Sequence, residues 1–170
     1  MLIFGTADDV FAMAVRIEEN GQQFYSGAAR QAEDPTVKGL FLDLAAMEEG
    51  HVTIFKNLRR LLPAGPDAGS VWDPEGLAES YLQAAADSHI FTVQEEIERL
   101  PAVKEPLAAL EMALQFEKDS LAFFLGMKAI LPDEGGRREI DTLVHAEMEH
   151  IIMLVTARNA FLASCPVAIN

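Results

Sequence analysis

The pattern of apolar and polar positions along the chain predicts four long amphipathic helices. Apolar residues recur every three to four positions, which is the period of a helix with one buried face. Thr6 and Asp34 are suited to cap the first two helices, and Pro35 suits the first helical position of the second. Prolines then end the second and third helices. The predicted helices cover about 7–32, 35–62, 106–131 and 134–164.

The spacing of these helices predicts two hairpins joined by a long connection. Short turns link the first helix to the second and the third to the fourth, so each pair is expected to be antiparallel. We expect one domain over 1–170, with hairpins at about 7–62 and 106–164 and a connection over 63–105. A helical stretch is expected from about Pro74 to Ile90. A connection of this length can run along the whole bundle, which predicts an all-α four-helix bundle with a long crossover.

Six polar residues form two matched sets within the predicted helices. Each set has a glutamate followed by a Glu-x-x-His motif, and the second set lies 99 positions after the first throughout. Apolar neighbours keep the same register, so the chain is interpreted as a duplicated helical hairpin. The two sets are Glu18, Glu48 and His51, and Glu117, Glu147 and His150.

The positions of the four glutamates predict that they share one layer of the bundle. In each hairpin the two glutamates are equidistant from the turn, so on antiparallel helices they end at the same height. Each histidine follows its glutamate by three residues, on the same face of the helix. Apolar residues flank each glutamate at helical spacing, so the carboxylates are expected to point inward.

Buried carboxylates at this density require positive charge nearby. Arg59 and Arg158 are the nearest cations in phase, but they lie roughly 16 Å further along the axis. Two divalent cations would balance four carboxylates, because burial and mutual repulsion otherwise oppose ionisation. The mixed nitrogen and oxygen donors suit iron or manganese, and zinc remains an alternative. One Glu-x-x-His motif is a common accident, whereas two in one register indicate a two-metal site.

Composition narrows the classes of protein and partner. The net charge of −14 argues against nucleic acid or an anionic membrane as partner, and it indicates either solubility or an affinity for cations. The single cysteine, Cys165, excludes a disulfide framework and fits a cytoplasmic protein. No membrane span is expected, because the apolar run over 151–163 is too short.

The segments around the six residues resemble the ferritin-like di-iron carboxylate proteins, and among them the rubrerythrin-like branch. The resemblance is carried by the two Glu-x-x-His motifs and by the segments 16–25 and 116–120. It implies a ferritin-like four-helix bundle that holds two iron ions. Glu18 and Glu117 would be ligands from the first and third helices. Glu48, His51, Glu147 and His150 would be ligands from the second and fourth, with one glutamate of each kind bridging the metals.

Two departures from that family are visible in the sequence. Rubrerythrins carry a rubredoxin-like iron centre held by four cysteines, and with Cys165 alone this chain would need an external electron-donor protein. Rubrerythrins also carry another glutamate one turn after the third-helix ligand, where this chain has Ser120. Tyr25 lies seven residues after Glu18 and could hydrogen-bond a ligand carboxylate. The alternative for Tyr25 is a core tyrosine whose hydroxyl is satisfied elsewhere.

Three functions are consistent with the sequence. The leading hypothesis is a di-iron oxidoreductase that reduces hydrogen peroxide or dioxygen with electrons from the external donor. The second is a ferroxidase or an iron-binding or storage protein, and the third is a metal-stabilised structural or partner-binding bundle. A homodimer is expected, and the long connection also permits two chains to exchange hairpins.

Overall fold

Five helices make up nearly all of the described chain. The computed structural model describes residues 6–62, 73, 75–88, 106–131 and 134–164. The four long helices are confirmed, each within one residue of its predicted bounds. The helical stretch predicted in the connection is shorter than expected, because α3 begins at Leu77. The helices are α1 (Ala7–Gln31), α2 (Pro35–Leu61), α3 (Leu77–Ser88), α4 (Pro106–Ile130) and α5 (Glu134–Ser164).

Side-chain caps begin the first two helices at the predicted residues. The Thr6 hydroxyl accepts a hydrogen bond from the backbone N–H of Asp9, and the Asp9 carboxylate accepts one from the backbone N–H of Thr6. Asp34 accepts hydrogen bonds from the N–H groups of Thr36 and Val37. These contacts satisfy backbone donors that have no partner within the helix.

Each hairpin is antiparallel. In the first hairpin, α1 packs along α2, and the guanidinium of Arg59 near the end of α2 pairs with Asp8 near the start of α1. In the second, α4 packs along α5, and Arg158 near the end of α5 pairs with Glu111 near the start of α4. The arginines therefore pair at the bundle ends, away from the glutamate layer.

Ring contacts show how the two hairpins face each other. At one end Phe55 of α2 lies 6.3 Å from Phe11 of α1 and 5.2 Å from Phe124 of α4, measured between ring centroids. Towards the other end Tyr25 of α1 lies 6.3 Å from Phe116 of α4. The chain in α1 runs from Phe11 at the first end to Tyr25 at the second. The chain in α4 runs from Phe116 at the second end to Phe124 at the first, so these two helices are antiparallel.

This arrangement makes α2 and α4 parallel. The chain leaves α2 at one end of the bundle and enters α4 at the other, so the connection has to span the bundle's length. The predicted crossover topology is therefore confirmed, and it is that of a ferritin-like bundle.

The described part of the connection docks on the second hairpin. The Tyr81 hydroxyl of α3 donates a hydrogen bond of 2.9 Å to the carbonyl oxygen of Ala122 in α4. One turn later Gly126 allows a close approach, because a Cβ built there would lie 2.5 Å from the Tyr81 ring. Leu82 is fully buried beside these contacts. α3 is thus anchored to the outer side of α4.

Among the described residues, no helix is both long enough and apolar enough to cross a membrane.

A core of aromatic and aliphatic side chains surrounds the centre of the bundle. The largest fully buried side chains are those of Ile17, Phe24, Tyr25, Phe41, Leu44, Phe55, Leu82, Leu110, Phe123 and Phe124.

Candidate metal centre

The six residues predicted as metal ligands all lie inside the bundle. Each of them is at most 8% exposed, although carboxylates and imidazoles normally remain in water. They come from α1, α2, α4 and α5, at the single layer that the hairpin spacing predicted. The residues are Glu18, Glu48, His51, Glu117, Glu147 and His150.

Their donor atoms fall into two overlapping groups of four. One group contains His51 and Glu18, the other contains His150 and Glu117, and both include Glu48 and Glu147. Within each group, one ligand atom from each of the four residues lies within 4.8 Å of every other. The structure therefore brings together all six predicted residues in two adjacent clusters that can each hold a metal ion.

In the first cluster, three carboxylate oxygens surround the Nδ1 atom of His51. The distances from this nitrogen are 3.4 Å to Glu18 Oε2, 3.3 Å to Glu48 Oε2 and 3.4 Å to Glu147 Oε1. The second cluster has the same form around the Nδ1 atom of His150.

The Nδ1 atom of His150 lies 3.4 Å from Glu48 Oε1, 3.4 Å from Glu117 Oε1 and 3.5 Å from Glu147 Oε2. These separations exceed the usual range of N–H···O hydrogen bonds, about 2.7–3.2 Å. They match the edge of a tetrahedron of ligands at about 2.1 Å from one ion, which is about 3.4 Å. The donor spacing thus fits one metal ion at the centre of each cluster.

The distribution of the carboxylates corrects one expectation. One glutamate of each kind was expected to bridge, but the two carboxylates that lie between the histidines both belong to the Glu-x-x-His motifs. Glu48 and Glu147 each direct one oxygen to His51 and the other to His150. Glu18 and Glu117 each approach a single histidine. The reason is that α2 and α5 carry both histidines, so only the carboxylates of these two helices lie between them.

Burial and crowding divide the carboxylates into two kinds. Burial raises the pKa of Glu18 well above its usual value, and the negative charge of Glu48 adds to this effect. Burial and the charge of Glu147 do the same to the pKa of Glu117. Burial also opposes ionisation of Glu48, but the nearby Glu18 carboxyl and the two histidines outweigh it and lower the pKa of Glu48.

The pKa of Glu147 is lowered in the same way, because the nearby polar groups of Glu117 and the two histidines outweigh its burial. Burial alone would lower the pKa of His51, yet the three carboxylate groups close to its ring, Glu147 first, raise it to about 12. The pKa of His150 is raised for the same reason.

The directions of these pKa shifts favour a metal-free centre in which protons balance the charge. They favour protonated imidazoles and neutral Glu18 and Glu117 carboxyls, with Glu48 and Glu147 ionised. Two divalent cations would replace four protons without changing the net charge of the cluster. The centre therefore has the donors, the spacing and the charge capacity that two divalent metals require.

Tyr25 makes the predicted contact with a ligand carboxylate. Its buried hydroxyl donates a hydrogen bond to Oε1 of Glu117, across from α1 to α4. Burial and the charge of Glu117 raise the pKa of Tyr25 well above 10, so the hydroxyl keeps its proton. Its counterpart in the repeat, Phe124, has no hydroxyl to offer Glu18. This support is consequently one-sided.

The position one turn after Glu18 in the first half, and after Glu117 in the second, also differs between the halves. In the first half this residue is Gly21, where an added Cβ would lie 2.9 Å from Phe116 and 3.4 Å from the Glu48 carboxyl carbon. In the second half it is Ser120, whose buried hydroxyl has no hydrogen-bond partner among the described residues. In the sequence alone, Ser120 stands out only as a departure from the family pattern. The 99-residue register, which pairs it with Gly21, is the signal that marks it as part of the site.

Comparisons with known proteins agree with the fold. A solved structure, that of a candidate ferritin-like diiron-carboxylate protein from Thermotoga maritima, superimposes with a TM-score of 0.65 at 21% sequence identity. The match covers 91% of this chain and 95% of that one. No curated protein matches the chain. The sequence model of the rubrerythrin family matches residues 9–157, which include all six donor residues. The chain belongs to the rubrerythrin family.

Proposed function

We propose that this chain is a non-haem di-iron oxidoreductase that reduces hydrogen peroxide or dioxygen with electrons from an external donor protein. The observation that carries the proposal is the pair of four-residue donor clusters sharing Glu48 and Glu147. Shared carboxylates favour two metals held side by side, and the mixed oxygen and nitrogen donors suit iron. Manganese and zinc are the alternatives for the metal.

The chemistry required of the metals is the supply of two electrons at one place. Each iron ion can give one electron, so a pair can reduce one molecule of peroxide to two molecules of water with two protons. The chain itself would hold the metals at fixed separation through Glu48 and Glu147. Tyr25 would fix the orientation of the Glu117 carboxylate, and the surrounding aromatic core would exclude bulk water from the reaction.

The electron donor is proposed as a separate protein. These 170 residues contain one cysteine, so they cannot supply the four thiolates of a rubredoxin-like iron centre. His51 lies on the more open side of the centre, since its side chain is 10% exposed and that of His150 is 2% exposed. We propose that electrons reach the centre from the His51 side. We further propose a cytoplasmic homodimer, in which exchange of hairpins would be detected by crosslinking α2 to α4 between differently tagged chains.

Iron handling is the second candidate function. The net charge of −14 supports it, because an acidic surface concentrates divalent cations around the protein. In that case ferrous iron would be oxidised by dioxygen and retained, with no turnover of peroxide. A metal-stabilised structural bundle is a third candidate with weaker support, since it does not require shared carboxylates.

Rapid-mixing spectroscopy separates these functions. The protein is loaded anaerobically with two ferrous ions per chain and mixed in turn with hydrogen peroxide and with dioxygen. Faster oxidation by peroxide, followed by repeated turnover when a reductant is added, supports the oxidoreductase. Oxidation by dioxygen with continued uptake beyond two ions per chain supports iron handling. Absence of oxidation by either reagent contradicts both and favours the structural role.

A matched pair of variants links the result to the proposed centre. Glu147 is buried in both clusters, whereas Glu149, two residues later on α5, is exposed. Glu147→Gln should abolish rapid oxidation, and Glu149→Gln should leave its rate unchanged. Equal rates in the two variants would place the oxidation elsewhere on the protein.

A further inference from the structure

Ser120 is a buried polar side chain that the proposed metal ligation leaves unused. The residue is 2% exposed, and its Oγ atom has no hydrogen-bond partner among the described residues. A buried hydroxyl normally bonds to protein or to an ordered small molecule, because leaving it unbonded is destabilising. This hydroxyl therefore calls for a partner that the described residues do not supply.

The repeat indicates where the hydroxyl points. Ser120 lies one turn after Glu117, on the same face of α4. Its counterpart Gly21 lies one turn after Glu18, and an added Cβ there would be 3.4 Å from the carboxyl carbon of Glu48. The same register relates Glu48 to Glu147, so the repeat predicts that the Ser120 side chain faces the Glu147 carboxylate.

The acceptors in this half of the centre are also without hydrogen bonds. On the His150 side, Oε2 of Glu147 and Oε2 of Glu117 are buried with no hydrogen-bond partner among the described residues. Ser120 Oγ does not bond directly to any of them. A donor and several metal-binding oxygens thus face a common region that a molecule of two or three atoms could join.

We propose that Ser120 hydrogen-bonds a small oxygen-containing or anionic ligand at the Glu117 and His150 half of the metal centre. The inference rests on the proposed function, since it presupposes metal in the two clusters. The other half has no equivalent, because Gly21 lacks a side chain and the ring of Phe116 occupies the adjacent space. An exogenous ligand is therefore bound on one side of the centre, and the two metal positions are inequivalent.

Azide, a triatomic anion, is a suitable probe. It is titrated into the iron(III)-loaded protein, and binding is followed by the absorption of the azide-to-iron charge transfer. Ser120→Ala retains the size of the side chain and removes the hydroxyl. We expect this variant to bind two iron ions normally and to raise the Kd for azide about tenfold, the loss expected for one hydrogen bond to a charged ligand.

The control is Ser80→Ala on α3, which removes an exposed hydroxyl bonded to the Gly76 carbonyl oxygen. Its azide Kd should equal that of the unaltered protein. An unchanged Kd in Ser120→Ala with both irons bound overturns the role of Ser120 while leaving the di-iron proposal intact. Loss of iron from Ser120→Ala also overturns it, because that result would assign the hydroxyl to metal retention. Failure of the unaltered protein to bind iron would instead remove the proposed function.

Discussion

Glu48 and Glu147 occupy a different position from the other two glutamates, because each contributes an oxygen to both clusters. Replacing either with glutamine would remove a charge that both proposed metal ions would share. Glu18 and Glu117 each serve one cluster, so their replacement leaves the other cluster complete. The geometry therefore predicts two kinds of carboxylate. Binding of both ions would depend on Glu48 and Glu147, whereas Glu18 and Glu117 would each affect one ion.

We predict that Glu48→Gln or Glu147→Gln binds neither ion stoichiometrically, whereas Glu18→Gln or Glu117→Gln keeps one. The measurement is metal content after equilibrium dialysis, and Glu49→Gln is the control because its side chain is exposed. Equal losses in the two kinds of variant would contradict the assignment of bridging and terminal roles.

The Tyr25 hydroxyl contacts only the half of the centre that contains Glu117. Tyr25→Phe removes the hydrogen bond to Glu117 and keeps the ring in the core. Loss of a hydrogen bond to a metal-ligating side chain typically weakens metal binding about 10–100-fold. We predict that calorimetric titration shows this weakening in one of two binding steps, with the other unchanged. Tyr81→Phe, which alters the hydroxyl of α3, should change neither step, and a loss shared by both steps in Tyr25→Phe would contradict a one-sided role.

The approach of α1 to α4 depends on a glycine at the helix interface. Glycine within a helix is unfavourable by about 1 kcal/mol relative to alanine. Replacing Gly21 with alanine does not yield this stabilisation, because the added Cβ would lie 2.9 Å from the Phe116 ring. That ring stacks on Phe24 at 6.0 Å between centroids, so it has little freedom to move. At Gly50, on the exposed face of α2, nothing lies within 4 Å of an added Cβ.

We predict opposite effects from the same substitution at these two positions. Gly50→Ala should stabilise the metal-free protein by about 1 kcal/mol. Gly21→Ala should destabilise it by about 1–3 kcal/mol through overpacking. Denaturant unfolding measures both values. Stabilisation by Gly21→Ala would show that the two helices are further apart than the structure has them.

The whole molecule should respond to pH in opposite ways with and without metal. Without metal, His51 has a folded pKa of about 12 against 6.5 for a free histidine. Its contribution to stability is complete below about pH 6.5 and is lost as pH rises towards 12. The raised pKa of Glu18 acts in the same direction, with its contribution complete below about 4.5. With metal, rising pH helps instead, because protons compete with the cations for the same atoms.

We predict that the difference in Tm between metal-loaded and metal-free protein widens as pH rises from about 6 to 9. Scanning calorimetry with and without a chelator measures this difference. Proton release in weakly buffered solution should approach four protons for two divalent cations near neutral pH, as the protonation of Glu18, Glu117, His51 and His150 requires. A constant difference in Tm with no proton release would contradict the proposed protonation state.

The sequence by itself determined the helices and the identity of the six donor residues. Helix bounds follow from local signals, such as Thr6 and Asp34 as caps and prolines at the ends, so they need no knowledge of the rest of the chain. The common layer of the glutamates follows from equal distances to a turn and the constant rise of a helix. The crossover followed from the length of the connection, which is a property of the chain alone.

Only the tertiary structure decided how the donors are shared. Which carboxylates lie between the histidines depends on which helices are neighbours, and separations of a few tenths of an ångström depend on the packing of many side chains at once. The same packing directs the Tyr25 hydroxyl to Glu117, closes the space beside Gly21 and leaves the Ser120 hydroxyl unbonded. Residue spacing is a local, one-dimensional property, whereas these contacts join atoms up to about a hundred positions apart.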